Sequence, residues 1–244
     1  MYYMDIDIDS DGKFDYRGVY FTPCKSLFLF KSKLDNDQTK NGYNTKTVYW
    51  FKYETIKWNI LKTLNNKALI ISDLILDSHE YYTNLLRSVD VNHQGNNTRK
   101  VCENNYMYSY MRLWLNKTFY ETAFNSLEQQ IIETTTVNNS ANTTQRESNL
   151  YVCGNTDDKL FLLSYKEAIT YYPIDNERVA LSSDYAKSQG AFTYIDNGNS
   201  CYCLRSPSDS AHHLVNEVAY DGKIVHDSVG RNRHGVRPAC WINL

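Results

Sequence analysis

The chain of 244 residues has no run approaching the ~18 consecutive apolar residues that a membrane-spanning helix requires, so a helical membrane protein is excluded. It has no basic excess either. Lysine and arginine number 26 against 28 aspartates and glutamates, giving a formal net charge of −2 and a pI near 6.3. That balance argues against a nucleic-acid binder working through a basic face. Residues 1–11 are acidic and lack the basic-then-apolar profile of a signal peptide, so export is not encoded here and the compartment stays open. There is no C-x-x-C pair, no Gly-x-Ser-x-Gly, no His-Glu-x-x-His and no phosphate loop. Zinc modules and the commonest hydrolytic and nucleotide signatures go with them. No repeat, linker or composition break divides the chain. The expected organisation is a β-rich extension at 1–47, packed on one main domain at 48–244.

What the chain has in excess is tyrosine, 21 residues against 9 phenylalanines and 4 tryptophans. Tyrosine brings apolar area and a hydroxyl that needs a partner, which suits half-wet sheets and interfaces. Tyr49 and Tyr53 fall beside strands and are assigned to the core; Tyr81, Tyr82, Tyr194 and Tyr202 fall near loops and are candidate contacts. The six cysteines are Cys24, Cys102, Cys153, Cys201, Cys203 and Cys240. Their number fits buried thiols, disulfides or a metal site, and buried small hydrophobes is the reading preferred here.

Local patterns predict a mixed α and β chain. Asp7, Asp9, Asp11 and Gly12 fit the first half of an EF-hand loop, but its twelfth position falls on Gly18, where a bidentate glutamate is required. A hairpin turning at Asp11 and Gly12 is the simpler reading. Strands are expected at 53–61 and 68–76, loops at 31–47, 88–105 and 134–149. Ser109 caps a helix with the apolar stripe Met111, Trp114, Leu115, Phe119 and Ala123. Ser126 with Gln129 and Ser164 with Glu167 read as capping boxes, and Ser183 opens a helix that stops at Gly190. Strands at 201–205 and 235–244 flank a hairpin turning at Asp221 and Gly222.

Taken in order, Ile56-Lys-Trp-Asn-Ile-Leu, Ala68-Leu-Ile-Ile-Ser-Asp, Met111-Arg-Leu-Trp-Leu-Asn, Asp158-Lys-Leu-Phe-Leu-Leu-Ser, Leu204-Arg-Ser-Pro and Gly235-Val-Arg-Pro-Ala-Cys-Trp resemble a bacterial family of unknown function, abundant in clostridia. The resemblance covers residues 48–244. The C-terminal part is similar to the end of formylglycine-generating-enzyme-like domains. This implies an α+β, C-type-lectin-like fold, with a twisted antiparallel sheet, two or more helices and long loops, and by itself no chemistry. Two departures stand out. Cys201-Tyr-Cys203 replaces a pair of bulky aromatics, and Cys240 replaces a leucine. Both bring thiols toward one sheet, which implies a Cys201 or Cys203 to Cys240 disulfide if the protein is exported.

Function is read from these parts. Arg205 and Arg237 each precede a proline by one or two residues, and forks tying carbonyls or a carboxylate inside the domain are preferred to an anion clamp. Trp114 and Trp241 are assigned to structure with them. Adjacent His212 and His213 are expected to point to opposite faces of a strand, and His226 lies across the hairpin. No metal ligand set, cofactor or nucleic-acid partner is expected. The leading function is a non-catalytic module binding a protein or glycan through loops near the C-terminal sheet. Its contacts would be Tyr194, Tyr202, Arg231, Asn232, Arg233 and His234. The alternatives are a thiol- and copper-dependent oxidase on the formylglycine-generating scaffold, and a purely structural domain of a larger surface protein.

Overall fold

The apolar run at 68–76 supplies the middle strand of a three-stranded antiparallel sheet. In the computed structural model, which describes residues 2–22, 38, 42–82, 89–93, 97–194, 197–230 and 234–244, Lys67–Ser72 pairs with Trp58–Leu64 on one side and Ala239–Asn243 on the other. Asn65 and Asn66 join the first two strands, both at positive φ (47° and 60°), the requirement of a two-residue turn matched to strand twist. Alternate side chains enter two separate cores. Ala68, Ile70 and Cys240 face one; Leu69, Ile71 and Ala239 face the other. A sheet covered on both sides needs a nearly unbroken apolar strand, which is why the run showed no alternation.

Helices cover both faces. Residues 110–123 form one helical segment, α over Tyr110–Trp114, a π turn over Leu115–Phe119, and α again over Tyr120–Ala123. The Ser109 hydroxyl accepts the Arg112 N–H as predicted, and Met111, Leu115 and Phe119 enter the first core. Ser126–Ile131 is capped one residue earlier than expected, by Asn125 with Glu128, because an amide oxygen meets the free N–H groups as well as a hydroxyl does. On the other face lie Tyr165–Tyr171, with the Ser164–Glu167 capping box, and Asp184–Ser188, capped by Ser183. Their Ala168 and Ala186 enter the second core.

The C-terminal sheet is Tyr202–Pro207, Leu214–Val218 and Ile224–Ser228. Its hairpin closes on the Ala219 N–H bonded to the Lys223 carbonyl at 2.8 Å, so the turn holds three residues, with Gly222 at φ +82°. A Cβ on Gly222 would sit 1.7 Å from the Asp175 carbonyl oxygen, so only glycine fits. The last strand is split: His234–Val236 pairs with Asp77–His79 before Ala239–Asn243 joins the central sheet. Gly235 passes over the Cys201 carbonyl, where a Cβ would stand 2.1 Å away.

The N-terminal sheet is Tyr2–Ile6, Tyr16–Tyr20 and Val48–Lys52. Val48–Lys52 was expected to open the main domain and is instead the third strand here. The sheet docks on Asp184–Ser188. Phe51 meets Tyr185 edge-on at 5.7 Å, the Thr22 N–H reaches the Ser188 carbonyl at 2.7 Å, and the buried Gln38 amide bonds Thr22 and Lys187 carbonyls. Two further expectations change. The first hairpin turns over residues 7–15 rather than at Asp11 and Gly12, because carboxylates fold the loop on its own N–H groups, Asp7 taking those of Ser10 and Gly12. The stretch 134–149 is no plain surface loop: Thr135–Val137 pairs with Thr156–Asp158, and Asn139, Thr144 and Asn149 are buried. Their polar side chains serve interior hydrogen bonds, which a hydropathy reading counts as exposure. The expected loop at 31–47 lies largely outside the described residues, and Val89–His93 pairs with Asn97–Val101 inside the expected loop at 88–105.

Candidate functional site

A groove of about 450 Å3 opens along the Trp58–Leu64 edge of the central sheet. Asn59, Ile60 and Leu61 line it with Tyr171, Tyr172, Glu177 and residues 179–181, and Asp73 and Arg237 contribute polar groups to its lining. Asn59 Nδ2 donates to the Asp73 carboxylate at 2.8 Å and Lys57 Nζ stands 3.0 Å from it. The Asn59 bond first, then Lys57, hold Asp73 below the usual carboxylate range. The buried Arg237 guanidinium lies between the rings of Tyr172 (5.6 Å) and Tyr202 (5.2 Å), its Nε donating to the Ser72 carbonyl at 3.0 Å. Rigid parts thus line the groove.

Arg205 is the second interior fork. It is 2 % exposed and ion-paired with Glu167, and it donates to the Leu162 and Asn138 carbonyls and to Asn139 Oδ1. Burial works against the Glu167 carboxylate, but the Arg205 charge and hydrogen bonds outweigh it and lower its pKa. Trp114 stacks on His79 at 4.4 Å, and the half-buried Trp241 packs against the second core.

Among the described residues, the expected loop contacts Tyr194, Tyr202 and His234 do not form one exposed surface. Arg231, Asn232 and Arg233 lie outside the described residues. Tyr202 and His234 are interior, at 1 % and 2 % exposure, and cannot stack on a ligand. The Tyr202 hydroxyl donates to the Arg178 carbonyl at 2.8 Å, while His234 meets Glu217 at 3.0 Å. Both were misassigned because a strand covered on two faces buries polar-tipped residues as readily as apolar ones. Tyr81 is likewise core at 0 % exposure. Tyr194, half-buried, stacks on Tyr220 at 4.1 Å. Asn59, Asp73, Tyr171, Tyr172 and Glu177 were missed: they come from three separate segments, and no local motif joins them.

The described cysteines are free thiols, with no disulfide among Cys102, Cys153, Cys201, Cys203 and Cys240. Burial pushes the Cys240 thiol up to about 12 and raises the Cys201 and Cys203 thiols as well. Cys24 lies outside the described residues. Among the described residues, three groups bring carboxylates or imidazoles together: Asp7, Asp9 and Asp15; Glu103, His212 and His213; Glu217, Asp227 and His234. The second overturns the expectation that His212 and His213 diverge, because they sit in a turn that precedes Leu214–Val218 rather than on a strand. His226 is exposed on Ile224–Ser228, opposite Asn216, and joins none of the three.

The model of a family described as a domain of unknown function, DUF6273, matches residues 65–244. No curated protein and no solved structure matches the chain.

Proposed function

The chain belongs to the DUF6273 family, and on that premise we propose that it is a non-catalytic binding module whose ligand is a glycan seated in the groove at Tyr171, Tyr172 and Asp73. One observation carries the reading: the trough combines two half-buried tyrosines with Asn59, Asp73 and Glu177 along its length. A sugar ring offers an apolar C–H face to an aromatic ring and hydroxyls to carboxylates and amides, and an open trough admits a chain. The bacterial source and the C-type-lectin-like reading of the architecture stay with this proposal. Small antiparallel sheets flanked by helices, and the order of the Leu-Arg-Ser-Pro and Gly-Val-Arg-Pro strands, support them.

The thiol oxidase alternative is disfavoured by the same interior that protects the cysteines. Copper takes thiolates, and burial holds Cys201, Cys203 and Cys240 in the protonated form. A protein ligand is the reading to test against, because Ile60 and Leu181 stand exposed on the groove rims. Screening against a glycan array, followed by titration of the best binder, decides it. Tyr171→Ala should weaken that binder about tenfold or more, the loss of one aromatic platform. An array without a specific binder, or a binder indifferent to Tyr171→Ala, overturns the reading.

A further inference from the structure

We propose that Glu103, His212 and His213 form a binding site for a transition-metal dication of the Zn2+ class, separate from the groove. Glu103 lies in the turn that follows Asn97–Val101, and the two histidines in the turn that precedes Leu214–Val218. One donor atom from each of the three residues lies within 4.8 Å of the other two, and Glu103 Oε2 is 3.6 Å from His212 Nδ1. Donors around a tetrahedral ion at bond lengths of 2.0–2.1 Å stand about 3.3 Å apart, so the measured pair closes on an ion with a shift of a few tenths of an ångström.

The two turns are held together before any ion arrives. The buried Asn104 side chain donates to the Ala211 carbonyl at 3.0 Å and the Leu214 carbonyl at 2.9 Å, and its backbone N–H donates to the His212 carbonyl at 3.0 Å. The Val229 N–H bonds the His213 carbonyl at 3.0 Å. Bracketed on both sides, neighbouring imidazoles converge, with ring centroids 4.9 Å apart.

The carboxylate is the independent observation. Glu103 is 0 % exposed, and neither of its oxygens has a hydrogen-bond partner among the described residues; the same holds for His212 Nδ1. A buried carboxylate facing two imidazole rings without a hydrogen bond is costly unless a cation meets it. The two histidine side chains are partly exposed, while His212 Nδ1 and both Glu103 oxygens are buried. Two imidazoles with one carboxylate select zinc and its neighbours over calcium or magnesium, which take oxygen shells, and leave one position for water.

The test is calorimetric titration of the chelator-stripped full chain with Zn2+ alone, beside Co2+ titration followed by visible absorption. One equivalent should bind, with the intense d–d bands of four-coordinate cobalt. Glu103→Gln and His213→Ala should each weaken binding about 100-fold or more, and Asp9→Asn should leave it unchanged. Absence of a stoichiometric site overturns the proposal, as does binding that survives in both cluster variants or is lost in Asp9→Asn. The cobalt spectrum needs no variant, so failure of a variant to fold leaves the wild-type chain as the deciding sample, and bands typical of six oxygen ligands would overturn the assignment.

Discussion

Two clusters in this chain use the same side-chain types and come to opposite ends. Glu217 and Asp227 of the C-terminal sheet and His234 of the strand His234–Val236 are sealed in the interior, at 1 %, 6 % and 2 % exposure. There His234 Nδ1 meets Glu217 Oε2 at 3.0 Å, and the Ser228 N–H reaches Asp227 Oδ1 at 2.7 Å. Glu103, His212 and His213 lie between two turns, with a buried carboxylate that accepts no hydrogen bond and rings open to solvent. The first cluster supplies its own counter-charge and has no route for an ion. The second leaves its carboxylate without a hydrogen bond, with His212 Nδ1 3.6 Å away, and its histidines are partly exposed. Residue type therefore does not separate an interior ion pair from a ligand site; internal pairing and access do.

The largest effect is expected where the sealed pair is cut. Glu217→Leu leaves the His234 imidazolium without its partner and should cost about 3–5 kcal/mol near pH 6, a fall in Tm of about 6–20 °C for a chain of this size. The double variant Glu217→Leu with His234→Leu should regain part of that loss, because two apolar groups replace both charges. Thermal melts decide it. A single variant as stable as wild type would place Glu217 outside the interior pairing.

Asn104→Ala comes next and acts on the open cluster through its frame. Two side-chain hydrogen bonds to the Ala211 and Leu214 carbonyls are lost, so about 2 kcal/mol of stability should go, and Zn2+ should bind at least about tenfold more weakly because the turns are no longer fixed against each other. Equal Zn2+ affinity in a destabilised Asn104→Ala chain would show that the metal itself assembles the turns.

Smaller and of opposite sign is Glu103→Gln in the metal-free protein. Removing a buried charge that accepts no hydrogen bond should raise stability by about 1 kcal/mol. The corresponding change in the sealed cluster lowers it. Chemical denaturation of both variants without metal reads the two signs side by side, and a loss of stability in Glu103→Gln would mean that its carboxylate is already paired.

Much of the fold was legible and little of either cluster was. The Ser109, Ser164 and Ser183 caps, the helix stripe through Met111, Leu115 and Phe119, and the hairpin at Gly222 rest on contacts within a few residues, where spacing carries the information. The Arg205 network reaches Asn138 and Asn139, 67 and 66 positions away, through polar residues that read as loop. His212 and His213 were placed on opposite faces by the period of a strand, and one turn cancelled that inference. Glu103 carried no signal, since its histidines stand more than a hundred residues on and are brought to it by the Asn104 clamp.

The faintest expected difference between the clusters lies in pH. Burial opposes the His234 cation, but the Glu217 hydrogen bond and charge, with Asp227, outweigh it and raise the imidazole above its ordinary 6.5. A group bound more tightly to its proton in the folded state stabilises fully below the unfolded value and loses that contribution as pH rises through the folded one. Wild-type stability should therefore decline above pH 6.5, and the decline should be smaller in His234→Gln. Burial raises Glu103 as well, above 4.5, so the metal-free protein should lose a second contribution beginning at lower pH. Only that one should vanish in Glu103→Gln. Metal-free melting profiles of wild type, His234→Gln and Glu103→Gln from pH 4.5 to 9 separate the two windows. If Glu103→Gln instead removed the decline above pH 6.5, the sealed cluster would not be its source, and the contrast drawn between the two would be reversed.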